Sequence, residues 1–104
     1  MAMTSHVTTY RVLPGRYGDF LTNCAAVKEL SLRTGADQVR VSQTLSGGNS
    51  CTVTIMFAFE SGEKYGKFLD MWATNEEYQA LWAKVTSNPS AELVDESVYA
   101  EWGI

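Results

Sequence analysis

Histidine is almost missing from this sequence, with His6 the single instance in 104 residues. Cysteine is nearly as scarce, at two, so no Cys/His cluster has metal-ligand spacing and no metal site is implied. Cys24 and Cys51 stand far apart and carry no disulfide signal. Met1 to Val7 offer neither a basic leader region nor an apolar one, so no export signal is expected. Two buried thiols in a reduced, cytoplasmic protein are therefore expected. Charge is also sparse, at 19% of residues, and eight Lys+Arg against twelve Asp+Glu leave a net charge of −4. That balance offers no basic surface to a phosphate backbone, so nucleic acid is not an expected partner. Apolar runs stay short, as in Ile55 to Phe59, and none can span a bilayer.

What is present is a core. Hydrophobic residues make up 45% of the chain, including three Trp, five Tyr and four Phe. That is ample for one domain over residues 1–104. Residues 6–13 are rich in β-branched and aromatic types and stop at Pro14-Gly15, which reads as a strand. Tyr17, Phe20, Leu21, Cys24, Val27 and Ser31 then recur at helical steps, with Gly35 as the stop and Arg33 in the last turn. Residues 37–45 return to period two, with Val39, Val41 and Leu45 on one side. A turn at Ser46-Gly47-Gly48-Asn49 joins them to residues 50–60. There Cys51, Val53, Ile55, Phe57 and Phe59 share one face, and Thr52, Thr54, Met56 and Ala58 the other.

Ser61-Gly62 opens a helical region in two pieces. Tyr65, Phe68, Leu69 and Trp72 form the stripe of the first. Thr74-Asn75-Glu76-Glu77 matches a capping box, which predicts Thr74 as the N-cap of the second and Glu77 reaching back. Tyr78, Leu81, Trp82 and Val85 continue it to Ser87-Asn88-Pro89-Ser90. Residues 92–102, with Leu93, Val94, Val98, Tyr99 and Trp102, make a last strand.

The order β-α-β-β-α-β is that of an α+β, ferredoxin-like domain, a four-stranded antiparallel sheet with helices on one face. The helices can cover only one side of the sheet. Neither set of residues on the 50–60 strand is charged, apart from Glu60 at its end. An uncharged sheet face is hard to leave in water, so a homodimer through that face is expected.

The stretch Val12-Leu13-Pro14-Gly15-Arg16 before an amphipathic helix resembles the Pro-Gly-Lys entry of the dimeric α+β barrel superfamily. Phe59-Glu60-Ser61-Gly62-Glu63 and Tyr78-Gln79-Ala80-Leu81-Trp82-Ala83-Lys84-Val85 carry the same resemblance. That superfamily holds antibiotic-biosynthesis-monooxygenase-like, haem-degrading and NIPSNAP-like domains. The resemblance implies two sheets joined face to face, with a pocket between each sheet and its own helices. It also implies that Thr8 faces the helices, and by alternation His6, Tyr10 and Val12. Haem-degrading relatives carry an iron-ligating histidine in the second helical region, but residues 61–86 contain none and the position falls on Trp82. No haem or other cofactor is therefore expected. Trp72 matches the tryptophan with which monooxygenase-like relatives hold a polycyclic phenol, but no asparagine shares its helical face.

Thr8, Tyr10, Trp72 and Trp82, with His6 at the rim, are the expected ligand-binding residues. An apolar wall with a few hydroxyl groups suits a small apolar or aromatic molecule. No catalytic residue is assigned. Glu76-Glu77 and Asp95-Glu96 are adjacent pairs whose side chains diverge, so neither forms an acid–base dyad. Met56-Phe57-Ala58-Phe59 sits where RNA-recognition motifs place stacking aromatics, but the preceding basic residue and glycine are lacking. Leu13-Pro14-Gly15-Arg16 is no Gly-rich anion cradle. Two readings follow: a binding dimer without evident catalytic machinery, or a cofactor-independent monooxygenase- or isomerase-like enzyme acting on an aromatic or polyketide-like substrate.

Overall fold

The first strand, β1 (Thr4–Val12), alternates from its first residue, turning Thr4, His6, Thr8, Tyr10 and Val12 to one side of the sheet. The computed structural model describes residues 3–47, 51–102 and 104. After β1 come α1 (Tyr17–Thr34), β2 (Gln38–Gln43), β3 (Thr52–Phe59), α2 (Gly62–Thr74), α3 (Glu76–Ser87) and β4 (Ala91–Ala100). The strands form one antiparallel sheet in the order β2-β3-β1-β4. This is the ferredoxin-like arrangement, with the second helix broken in two. Part of the expected turn, Gly48 and Asn49, lies outside the described residues, as does Ser50.

The chain leaves β1 through Pro14-Gly15, where Gly15 takes a φ of 75° that a side chain would strain. Arg16 then precedes α1 without capping it through its side chain. Its guanidinium instead donates to Asn88 Oδ1 and to the Asn88 and Pro89 carbonyls, fastening the start of α1 to the segment entering β4. At the far end of α1, Gly35 has a φ of 138°, and the Ala36 N–H donates to the Ser31 carbonyl. Phe20, Cys24, Leu30 and Ser31 are the buried residues of this helix. Tyr17 and Leu21, expected on its apolar stripe, stand partly exposed at the edge of the contact.

The helices lie over β2, β3 and β1. Val39, Val53, Ile55, Phe57 and Phe59 point into that layer and are buried. Phe68 from α2 meets Phe57, Phe59, Trp72 and Tyr78 with ring centroids 4.9–6.5 Å apart. Such offset aromatic contacts add to the area they bury. Asp37 ties the entry of β2 to this layer, pairing with Lys64 and accepting the Glu60 N–H. The salt link holds the Asp37 carboxyl below its ordinary range. By contrast β4 is an edge strand whose Leu93 and Val98 face the helix side yet are about half exposed.

Two expectations need correction. Cys51 is exposed, outside β3, at a φ of 70°. Alternation along residues 50–60 had placed it on the core face, but the chain is already turning there. Only Cys24 is the expected buried thiol.

The second correction concerns the helix break, which falls where expected but is capped by a different residue. Thr74 is still helical, and its hydroxyl donates back to the Asp70 and Met71 carbonyls. Asn75 leaves the helix, with a ψ of 118°, and its Oδ1 accepts the Tyr78 N–H at 2.9 Å. Glu77 does not reach back, since it binds Arg33 at 2.7 Å. Tyr78 has to arrive at the buried Ser31 hydroxyl, 2.9 Å away, and that requirement sets the register of the cap. Asn75→Ala should therefore lose about 1 kcal/mol of stability in chemical denaturation, whereas Thr74→Ala should be close to neutral. Equal losses would restore Thr74 as the cap.

Candidate functional site

Because α1 and α3 do not close over β4, a cavity of about 340 Å³ remains between the sheet and these two helices. β1 and β3 supply its floor with Tyr10 and Ile55. From α1 come Phe20, Cys24 and Val27, and from α3 come Tyr78, Leu81, Trp82 and Val85. Ala91 and Leu93 of β4 complete the wall. The volume lies in the range of small-molecule sites.

The cavity is apolar in charge as well as in composition. Burial pushes the Tyr78 phenol up to about 12, against its hydrogen bond with Ser31. Burial pushes the Cys24 thiol up to about 11. Tyr10 is raised by burial too, with the neighbouring Thr8 hydroxyl opposing the shift and Cys24 and Glu96 adding to it. All three groups are therefore neutral near pH 7, and the wall offers hydroxyl and thiol hydrogens but no charge.

Of the expected site residues, the cavity brings together Tyr10 and Trp82. Tyr10 packs on Phe20 at 5.7 Å, and Trp82 stands at the mouth with more than half its surface exposed. Thr8, His6 and Trp72 lie deeper in the same layer and do not form the cavity wall. Thr8 is buried and donates to the Ile55 carbonyl at 3.4 Å. Trp72 is packed between Tyr78, Phe68 and Phe57 at 4.5, 5.2 and 6.0 Å. Its buried indole N–H makes no hydrogen bond among the described residues.

His6 is buried among rings and held between two polar groups. Its Nδ1 is 3.2 Å from the Tyr65 hydroxyl, and its Nε2 is 3.3 Å from Glu96 Oε2. The Nε2 contact is close but not aligned as a hydrogen bond. Phe57 and Trp72 complete the surround at 6.1 and 6.5 Å. No acidic residue is close to His6 in the sequence. Glu96 lies ninety positions further along the chain, and only the β1/β4 register brings it alongside. That register sets Thr8 opposite Glu96, places a bulge at Thr9/Tyr10, and resumes with Tyr10 opposite Leu93. Glu96 is thus on the helix side, while Asp95 is on the outer face, as alternation requires. Among the described residues, no three His, Cys, Asp or Glu side chains come together as a metal site.

The sequence matches no protein-family model, and a search of curated proteins found no match. Solved structures do match, over nearly the whole chain. A NIPSNAP domain protein from Burkholderia xenovorans superposes with a TM-score of 0.71 at 16% identity, covering 97% of this chain and 94% of its own. A Bordetella bronchiseptica protein, provisionally assigned as an antibiotic biosynthesis monooxygenase, gives 0.66 at 18% identity, covering 100% and 99%. A Nitrosomonas europaea protein with the same provisional assignment gives 0.69 at 11% identity, covering 97% and 91%. The chain therefore has the fold shared by the NIPSNAP and antibiotic-biosynthesis-monooxygenase-like proteins, as the Pro14-Gly15 and Ser61-Gly62 stretches led us to expect.

Proposed function

We propose that this protein is a homodimer that binds a small, uncharged aromatic or lipid-like molecule between its sheet and helices. One observation carries the ligand reading: an open cavity of about 340 Å³ whose ionisable lining groups are all held neutral. A phosphate or carboxylate ligand would find no counter-charge there, whereas a flat phenol would find apolar walls and the Tyr10 hydroxyl. The dimer reading rests on the outer sheet face, where Val7, Thr9, Thr54 and Met56 of the central strands form an uncharged, half-buried centre.

Titration with flat phenols and quinones, followed by tryptophan emission, tests the ligand reading. Trp82 stands at the mouth, so Trp82→Phe should remove most of the signal change and Trp72→Phe much less. Val85→Trp should fill the cavity and weaken binding at least tenfold. Unchanged emission with every compound, or full binding by Val85→Trp, would remove the cavity as the site.

A further inference from the structure

We propose that the molecule held in the cavity carries an uncharged, hydroxylated end of the kind a sugar provides, and that this end lies outside the cavity, between the start of α1 and the end of α3. This rests on the cavity being a ligand site. A second hollow, of about 240 Å³, lies between those helix ends. Asn23 lines both spaces, so the polar hollow adjoins the apolar cavity at that residue. Asn23 is half-buried, and its side-chain amide makes no hydrogen bond among the described residues. A free amide at the edge of an apolar wall offers both donors and an acceptor to whatever leaves the cavity there.

The lining of the hollow favours hydroxyl groups over an anion. Arg16 borders it but is already committed, donating to Asp19 at 2.8 Å, to Asn88 Oδ1 and to the Asn88 and Pro89 carbonyls. Asp19 sets an exposed carboxylate in the same wall. The Thr22 and Ser87 hydroxyls donate to the Gly18 and Lys84 carbonyls, both at 3.0 Å, and so have only lone pairs left to offer. Lys84 is exposed and in no ion pair among the described residues, which leaves its ammonium as a donor. A carboxylate or phosphate would gain that one cation and meet a carboxylate and two spent hydroxyls. A hydroxyl group both donates and accepts. Several together satisfy Asp19, Thr22 and Ser87 as donors, Lys84 as acceptors, and Asn23 in either sense.

The test uses the whole protein and three compounds that share one aromatic body: 2-naphthol, 2-naphthyl β-D-glucoside and 2-naphthyl phosphate. Binding of each is measured by titration calorimetry. The glucoside should bind roughly tenfold more tightly than 2-naphthol, and the phosphate more weakly than the glucoside. Asn23→Leu combined with Lys84→Met should cut the glucoside's advantage over 2-naphthol to about threefold or less. Lys28→Met, outside both spaces, should keep it. A glucoside that binds no better than 2-naphthol, or whose advantage survives the double substitution, overturns the hydroxylated end and leaves the cavity reading standing. A phosphate that binds as tightly as the glucoside makes the hollow an anion site and overturns it likewise. Failure of all three compounds to bind overturns both.

Discussion

Met56→Lys should convert a dimer into a monomer. On the outer face of the sheet Met56 is registered against Val7 on one side and Arg40 on the other. A lysine there would be carried into the proposed interface with no acidic neighbour on either adjoining strand and a cation directly across. Burying an unpaired ammonium costs several kcal/mol, enough to raise the dimer dissociation constant more than a hundredfold. Glu92 and Asp95 are the acidic groups of this face, and they lie on β4, beyond β1. Sedimentation velocity at ~100 μM should give a dimer for the wild type and a monomer, or an aggregate, for the variant. A wild-type monomer at that concentration would remove the dimer altogether.

Phe68→Ala should be the most damaging single truncation in the core, at about 3–5 kcal/mol. Phe68 is 3% exposed and touches four other rings from three different elements. It also lies close to Gly35, so the hole left behind would open beneath the end of α1. Few neighbours can relax into it, because Phe57 and Phe59 are fixed in β3 and Tyr78 is tied to Ser31. Urea denaturation should show the midpoint falling with little change in slope. A loss below about 1 kcal/mol would mean that the ring cluster collapses around the gap.

The strands, helices and helix break were legible because each is a local pattern. Val53, Ile55, Phe57 and Phe59 alternate, Phe68 and Trp72 recur at helical spacing, and Asn75 lies within the segment that signalled the break. Register was less legible. Nothing in the Thr4–Val12 sequence states that Glu96 will stand beside His6, because a strand pair and a bulge fix that contact. Edges were misread for a related reason. Tyr17, Leu21 and Cys51 carry apolar character into positions where their elements begin, or lie beyond the rim of the contact. Periodicity identifies a face but not how far the opposing layer extends over it. The cavity had the same status: its floor at Tyr10 and wall at Trp82 could be read, but the span left open beside β4 could not.

The pinning of α3 at one end has a bearing on how such chains diverge. Tyr78, in the first turn, is locked by Asn75, Ser31 and the ring cluster, while Trp82, Val85 and Thr86 further along the helix border the open cavity. Most of the cavity wall that this twelve-residue helix supplies therefore lies beyond the turn that anchors it. Replacements beyond its first turn can reshape the wall without disturbing what anchors it. A backbone organised in this way can stay in place while most of its sequence drifts. That separation offers a physical reason why proteins sharing only 11–18% of their residues with this one still superpose over nearly its full length.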